Sequence, residues 1–198
     1  MNNVKLYIYN INNLIIDFKD IPFIDNKDIV YAMKYKQIID QKQQIISRYF
    51  KNKYIKNWYI NENKKPLSND IYFNISHSHD YVILAISNKY NIGIDIELKN
   101  DKREDRLKNF ICNKEELDFI KENDDFYKIW TSKESLLKCV GTGLVNDLKK
   151  VNSLPIDGMK EYDGKIYYSH YINYDNYSLS ITIMSDEDFD IEIVEERI

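Results

Sequence analysis

The sequence predicts an α+β fold built from two similar units. Helical and strand-like segments alternate along 198 residues, of which 43% are hydrophobic, and this is enough for one large core or two small ones. A strand, a polar turn and a second strand occur at Ile71–Ser87 and recur at Ile166–Ile183. We therefore predict an N-terminal subdomain at residues 1–88, a C-terminal subdomain at residues 89–198, and a ligand site in the cleft between them.

The first unit is predicted to combine a strand, a long helix and a hairpin. Alternating apolar residues between 4 and 16 indicate the strand. Residues 29–54 contain no Gly or Pro and repeat apolar residues at helical spacing, so they are predicted to form one helix, which six lysines and arginines make basic. A polar loop at 61–69 then leads into two strands at 71–75 and 81–87.

The second unit opens with a strand and continues with two helices. The apolar run at 92–98 predicts the strand. Asn113 and Glu116 have the spacing of a capping box, which marks the start of a helix. A second helix is predicted at 126–139, and Gly141 marks its end. The rest of the chain is predicted to form strands, with the acidic tail as an edge strand or a frayed end.

Composition excludes several classes of partner. A net charge of -4 argues against a dedicated nucleic-acid-binding protein. No apolar run approaches the ~20 residues that span a membrane, and the N-terminus lacks the pattern of a secretory signal. With only Cys112 and Cys139 present, a disulfide framework is not expected and a reducing cytoplasm is predicted. We therefore expect a cytoplasmic protein without nucleic-acid or membrane partners.

Two carboxylates on the strand at 92–98 form a candidate metal site. Asp95 and Glu97 are two residues apart and point to the same face, whereas Ile94 and Ile96 point to the other. Neighbouring like charges repel, and a divalent cation such as Mg²⁺ removes that penalty. Taken alone, the pattern is more typical of a half-exposed strand with a solvated face.

A second candidate lies on the helix at 126–139. Glu134 and Lys138 are four residues apart and therefore share a face. The alternative is an ordinary surface ion pair of small energetic value. Gly141 and Gly143, which follow Lys138, end the helix and permit a ligand to approach the backbone closely.

A third group carries hydrogen-bond donors suited to an anion. Ser76 and His77 stand at the end of a strand, and hydroxyl and imidazole donors suit a phosphate. His77 and His79 could instead bind zinc, but such a site would need acidic ligands as well, which favours the phosphate. Lys65 precedes Pro66 in a rigid loop, where its cation could pair with phosphates.

Taken in order, four segments resemble the motifs of the surfactin-type phosphopantetheinyl transferases. They are Lys65-Pro66, Phe73–Ser78, Gly93–Glu97 and Trp130–Leu144. The resemblance implies two similar α/β subdomains with pseudo-twofold symmetry and an active site in the cleft. It also implies transfer of the 4'-phosphopantetheine arm of coenzyme A to a serine of an acyl or peptidyl carrier protein. The carrier would change from its apo to its holo form, with release of adenosine 3',5'-bisphosphate.

The resemblance also implies roles for individual residues. The implied Mg²⁺ ligands are Asp95, Glu97 and Glu134. By the resemblance, Lys138 would contact the pyrophosphate. On chemical grounds, Glu134 is the candidate that accepts the proton of the serine hydroxyl, directly or through a water, and these two are the predicted catalytic residues. The residues that would bind coenzyme A at its nucleotide end are Lys65, Pro66, Ser76 and His77. An arginine on the first helix would also contact coenzyme A; Arg48 is the only arginine there, although Lys51 or Asn52 fits the register equally well.

Two other functions remain compatible with these residues. One is a metal-dependent phosphoesterase that uses Asp95, Glu97 and His77 on coenzyme A or a nucleotide. The other is a non-catalytic relative that binds coenzyme A or a carrier protein. For a carrier, the mixed charges of residues 99–108 are a candidate docking surface, with a solvated loop as the alternative. Because a duplicated fold builds its site within one chain, we expect a monomer.

Overall fold

The computed structural model describes residues 2–62, 65–99, 107–123, 125–143 and 147–198. The strands are β1 (Asn2–Asn10), β2 (Tyr59–Ile60), β3 (Pro66–Leu67), β4 (Tyr72–Ser78), β5 (Tyr81–Ser87), β6 (Ile92–Leu98), β7 (Gly158–Tyr162), β8 (Lys165–Tyr174), β9 (Tyr177–Ile183) and β10 (Phe189–Glu195). The helices are α1 (Asn26–Ala32), α2 (Ile38–Tyr54), α3 (Lys114–Asn123) and α4 (Phe126–Val140). Residues 107–111 are also helical.

Two four-stranded sheets organise these elements. Their strand orders are β10-β1-β5-β4 and β6-β9-β8-β7. In each sheet a first strand (β1 or β6) pairs antiparallel with the second strand of a later hairpin (β4–β5 or β8–β9). A long helix, α2 or α4, precedes each hairpin along the chain. The α+β class is confirmed, and the repeated order agrees with two similar units.

The acidic tail forms an edge strand, as predicted, and it joins the first sheet. β10 pairs in parallel with β1, with Phe189 opposite Asn2 and Glu195 opposite Ile8. Glu196, just beyond β10, accepts hydrogen bonds from Tyr49 and Lys53 of α2. The end of the chain therefore contacts the first unit, while the division at residue 88 stays a prediction.

The long first helix predicted at 29–54 is divided into α1 and α2. Asp25 caps α1 with a capping box that the sequence reading did not include, and α1 ends at the buried Ala32. The chain then turns back so that α1 packs on α2, where Arg48 pairs with Asp28 at 2.8 Å. The break follows from this helix–helix packing, because helix-forming residues occupy both sides of it.

The core lies in layers on both sides of each sheet. One apolar cluster packs between the two sheets and contains Leu6, Ile83, Ile94 and Ile181 among its members. On the outer faces, α2 packs against the first sheet and α4 against the second.

A close helix–strand contact brings α4 onto β6. A Cβ atom at Gly93 would lie 2.0 Å from the carbonyl oxygen of Ser135 and 2.4 Å from the amide nitrogen of Cys139. Only a residue without a side chain permits this approach. The contact sets how near the polar face of α4 comes to the carboxylates of β6.

Two predicted helix boundaries are confirmed, namely the start of α3 and the end of α4. Asn113 and Glu116 form the predicted reciprocal capping box, with N–O distances of 2.9 and 3.0 Å. Gly141 caps α4 in the left-handed conformation at a φ of 89°. Glu116 also has a non-local partner, since its carboxylate lies 2.7 Å from the Nζ atom of the fully buried Lys133.

Two further observations concern membrane-spanning helices and the cysteines. Among the residues it describes, no helix has both the length and the apolar character needed to cross a bilayer. Cys112 and Cys139 are buried free thiols.

Candidate active site

A cavity of about 270 Å³ lies between β4, β6 and α4. It is lined by Ile75, Ser76, His77, Asp95, Glu97, Trp130, Glu134 and Lys138. Alternation along β6 gives Asp95 and Glu97 a shared orientation, and the four-residue spacing on α4 does the same for Glu134 and Lys138. Ser76 and His77 are neighbours on β4 and point to opposite faces of that strand, so they reach the cavity from its edge. The structure thus brings together six of the nine predicted site residues, which come from three of the four motifs and lie on three elements.

The carboxylate of Asp95 is almost completely buried, with the residue 4% exposed. Its Oδ1 atom accepts hydrogen bonds from Lys138 Nζ at 2.6 Å and from Ser76 Oγ at 3.1 Å. Its Oδ2 atom is buried without a hydrogen-bond partner among the described residues. Burial raises the pKa of Asp95 and Glu97 raises it further, while Lys138 opposes both effects.

Glu134 faces the same wall from α4. Its Oε1 atom is the second buried carboxylate oxygen for which the described residues provide no hydrogen bond. Burial, followed by the negative charges of Asp95 and Glu97, raises the pKa of Glu134 to about 7. The three carboxylates are therefore close enough to repel one another, and a cation would relieve that repulsion.

Glu97 is held by hydrogen bonds to both of its oxygens. Ser78 Oγ donates to Oε2 at 3.1 Å, and Trp130 Nε1 donates to Oε1 at 3.3 Å. Neither contact was predicted from the sequence. Ser78 is the last residue of the Phe73–Ser78 motif, and Trp130 is the first residue of the Trp130–Leu144 motif. The motifs therefore include both residues but do not indicate that they bind Glu97.

Lys138 and His77 supply the positive charge and the donors of this wall. The partners of Lys138 Nζ are Asp95 and Ser76, both on strands, so the ion pair it forms is with β6 rather than with its helix neighbour Glu134. Desolvation at the cavity wall, together with Lys138, lowers the pKa of His77 below its usual value. The lowered pKa favours the neutral imidazole, which can donate one hydrogen bond and accept another.

Lys65 lies next to this cavity, on the other side of Lys138. Its Nζ atom donates to the carbonyl oxygen of Lys138 at 2.6 Å, and burial lowers its pKa. Lys65 and Lys138 line a second cavity of about 280 Å³ with Asn74, Gly141, Thr142 and Gly143. Pro66, the first residue of β3, follows Lys65 directly. The two predicted cation positions therefore stand on one continuous stretch of wall.

Arg48 lies in a different place from the other predicted residues. Its guanidinium group pairs with Asp28 and stacks 4.1 Å from the ring centroid of Tyr31. It lines a separate cavity of about 400 Å³, beside Lys27 and Lys34. A contact between Arg48 and coenzyme A stays a prediction.

A residue of α2 that the sequence reading missed reaches the end of β4. Gln43 Nε2 donates to the carbonyl oxygen of His79 at 2.8 Å. None of the sequence motifs includes Gln43, and its contact with His79 depends on how α2 packs against the first sheet.

The candidate docking surface at 99–108 falls mostly outside the described residues, which leave out 100–106. Lys99 itself pairs with Asp125 at 2.9 Å.

The donor set fits a magnesium ion. In the described part of the chain, no three His, Cys, Asp or Glu side chains already form a compact metal-binding group. Magnesium, however, is usually held by one or two carboxylates and completed by water and substrate phosphates. Asp95 Oδ2 and Glu134 Oε1, buried without partners, are the oxygens that such an ion would satisfy.

Comparison with known proteins yields one family. Residues 91–182 match the family model of the 4'-phosphopantetheinyl transferase superfamily. The chain is 37% identical over 97 residues to a 4'-phosphopantetheinyl transferase of Bacillus subtilis, covering 46% of this chain and 39% of that protein. It is 35% identical over 91 residues to the 4'-phosphopantetheinyl transferase gsp of Aneurinibacillus migulanus, covering 42% and 38%.

A third relative extends the match slightly. The 4'-phosphopantetheinyl transferase Sfp of Bacillus subtilis strain 168 is 35% identical over 105 residues, covering 49% of this chain and 43% of that protein. The chain thus matches about two fifths of the length of these relatives. Over somewhat less than half of its length, the chain is thus similar to 4'-phosphopantetheinyl transferases.

Proposed function

We propose that this protein transfers the 4'-phosphopantetheine arm of coenzyme A to a serine of an acyl or peptidyl carrier protein. The main support is one cavity wall that carries three carboxylates, a lysine and an imidazole, with two buried carboxylate oxygens unpartnered among the described residues. Cations and donors beside carboxylates suit a substrate with several phosphates. The names of the relatives support the same reaction.

Binding of coenzyme A would use the wall on both sides of Lys138. Its pyrophosphate would contact Lys138, and its nucleotide end would lie toward Lys65 and Pro66. His77 would donate a hydrogen bond to a phosphate, since the neutral imidazole keeps one N–H group. Holding the substrate along this wall would place the reacting phosphorus near the carboxylates. Such positioning lowers the entropic cost of reaching the transition state.

In the chemical step, the serine oxygen of the carrier attacks the phosphorus that bears the pantetheine arm. A serine O–P bond forms, the P–O bond of the pyrophosphate bridge breaks, and adenosine 3',5'-bisphosphate leaves. Glu134 would accept the hydroxyl proton, directly or through a water molecule. Lys138 would stabilise the charge that develops on the leaving phosphate.

Asp95, Glu97 and Glu134 would hold Mg²⁺. When bound, the ion supplies neutralisation of charge on the phosphate oxygens. We further propose that the protein acts as a monomer in the cytoplasm, with coenzyme A and a carrier protein as its partners and with no nucleic acid or membrane.

The reaction is tested by incubating apo carrier proteins with coenzyme A and Mg²⁺ and measuring the carrier's mass. We expect the added mass of one phosphopantetheine group on the serine. Glu134→Gln removes the proposed base together with one ligand charge, so its rate is measured at saturating Mg²⁺, as established by titration. Under that condition it should lose about two orders of magnitude in rate, the usual contribution of a general base. Glu122→Gln, at an exposed position of α3, is the matched control. Near-normal turnover by Glu134→Gln would exclude the assigned role.

The same assay decides between the alternatives. Release of free nucleotide without a mass change on any carrier would favour a phosphoesterase. Binding of coenzyme A without any product would favour a non-catalytic relative.

A further inference from the structure

β4 presents a row of three buried polar side chains to the edge of β6. Asn74, Ser76 and Ser78 alternate along the strand and are each less than a tenth exposed. β6 is an edge strand, because among the described residues it pairs within its sheet with β9 alone. Every second amide of such a strand points away from the sheet and needs an acceptor when it is buried.

The row supplies those acceptors at a constant spacing. The bonds run from Ile94 N to Asn74 Oδ1 (3.0 Å), from Ile96 N to Ser76 Oγ (3.4 Å) and from Leu98 N to Ser78 Oγ (3.2 Å). Side-chain oxygens thus stand where the carbonyl groups of a neighbouring strand would stand. The two sheets are joined along this seam, which we define as Asn74, Ser76 and Ser78 with the three amides.

Each serine of the seam makes a second bond, to a carboxylate. Ser76 Oγ donates to Asp95 Oδ1, and Ser78 Oγ donates to Glu97 Oε2, both at 3.1 Å. One hydroxyl therefore accepts from the amide of one residue and donates to the side chain of the residue before it. Asn74 makes no such bond because the corresponding residue, Gly93, has no side chain.

We propose that Ser76 and Ser78 are positioning residues, which orient the carboxylates of Asp95 and Glu97 by anchoring them to the seam. A hydroxyl group has one hydrogen, and in both serines the bonded geometry directs it to a carboxylate. Partners that hold metal-binding carboxylates commonly matter as much as the ligands themselves. The inference rests on the proposed function for its consequence in catalysis, but its geometric part concerns hydrogen bonds alone.

The test replaces Ser78, whose hydroxyl, unlike that of Ser76, does not contact the proposed phosphate-binding Lys138. Ser78→Ala removes both bonds, whereas Ser78→Thr keeps the hydroxyl and suits a strand. Ser169→Ala is the control, because Ser169 is a fully buried strand serine whose hydroxyl bonds to Thr182. Hydrogen exchange of the Leu98 amide reports the seam, and calorimetric titration of Mg²⁺ with and without coenzyme A reports the carboxylates.

We expect Ser78→Ala to speed exchange at Leu98 and to weaken Mg²⁺ binding by about tenfold. Ser78→Thr should recover most of both, and Ser169→Ala should change neither. Unchanged Mg²⁺ affinity in Ser78→Ala would overturn the positioning role, as would an equal loss in Ser169→Ala. A native chain that binds no Mg²⁺ in either condition would overturn it as well.

The two proposals can fail separately. Ser78-dependent Mg²⁺ binding without modification of any carrier would support the positioning role and count against the transferase reaction. Normal transfer by Ser78→Ala, with native Mg²⁺ affinity, would do the reverse.

Discussion

Replacing Gly93 with alanine tests how the approach of α4 to β6 controls the active site. The new Cβ would stand 2.0 Å from the Ser135 carbonyl oxygen and 2.4 Å from the Cys139 amide nitrogen, both of them backbone atoms. To restore even a tight contact of about 3 Å, the helix and the strand must separate by about 1 Å. Overpacking of this kind costs about 1–3 kcal/mol of the free energy of unfolding.

The shift also acts on catalysis, because α4 carries Glu134 and Lys138 while β6 carries Asp95. A displacement of about 1 Å among reacting groups can lower a rate by about a hundredfold. We therefore expect Gly93→Ala to lose about two orders of magnitude in carrier modification while the chain still folds. Denaturant unfolding measures the first effect and mass spectrometry of the carrier the second.

Gly164→Ala separates loss of stability from displacement of the site. Gly164 has a φ of 69° in the turn between β7 and β8, and open space surrounds its α-carbon. Alanine there is destabilising through backbone strain, by about 1 kcal/mol, without moving α4. Native stability and native turnover in Gly93→Ala would refute the reasoning, as would an equal loss of turnover in Gly164→Ala.

Two further predictions concern buried lysines. Burial lowers the pKa of Lys160 in the folded chain to about 7, against 10.5 for the ordinary side chain. Between these two pH values the unfolded chain binds more protons than the folded chain, so the free energy of unfolding rises with pH. Between pH 7 and pH 9 the free energy of unfolding should therefore rise by about 2 kcal/mol more than in Lys160→Met, measured by denaturant titration; equal pH dependence in the two chains would contradict the assignment. Lys133→Met leaves the buried carboxylate of Glu116 unpaired and should cost about 3–5 kcal/mol in the same assay. Lys121→Met, which breaks the exposed pair with Asp118, should cost less than about 1 kcal/mol, and similar losses in both would show that the buried pair has no special weight.

Local signals in the sequence predicted much of the fold. The capping box at Asn113 and the glycine end of α4 depend only on residues within one turn, so their patterns are sufficient. The break between α1 and α2 was not predictable in this way, because it depends on the packing of one helix on the other. The predicted first strand likewise ends early, at Asn10, whose side chain accepts from the Asn12 amide and begins a short helical turn.

The sequence predicted which residues form the candidate site better than it predicted the contacts between them. The period of a strand placed Asp95 and Glu97 on one face, and motif order linked them to Glu134. The ion pair between Lys138 and Asp95 joins residues 43 positions apart, so no spacing rule indicates it. Arg48 was assigned to the site through the family resemblance; it pairs with Asp28 and lines a separate cavity, and its contact with coenzyme A stays a prediction.

By itself, the sequence determined which side chains could perform phosphoryl chemistry and which of them share a face, because both depend on residue type and on the period of one element. Only the tertiary structure decided what holds those side chains in place. The seam between β4 and β6 requires two sheets to meet at one edge. So does the pair of hydrogen bonds that Ser78 and Trp130 donate to Glu97. That meeting results from burial of apolar faces far apart in the chain, and no local pattern specifies it.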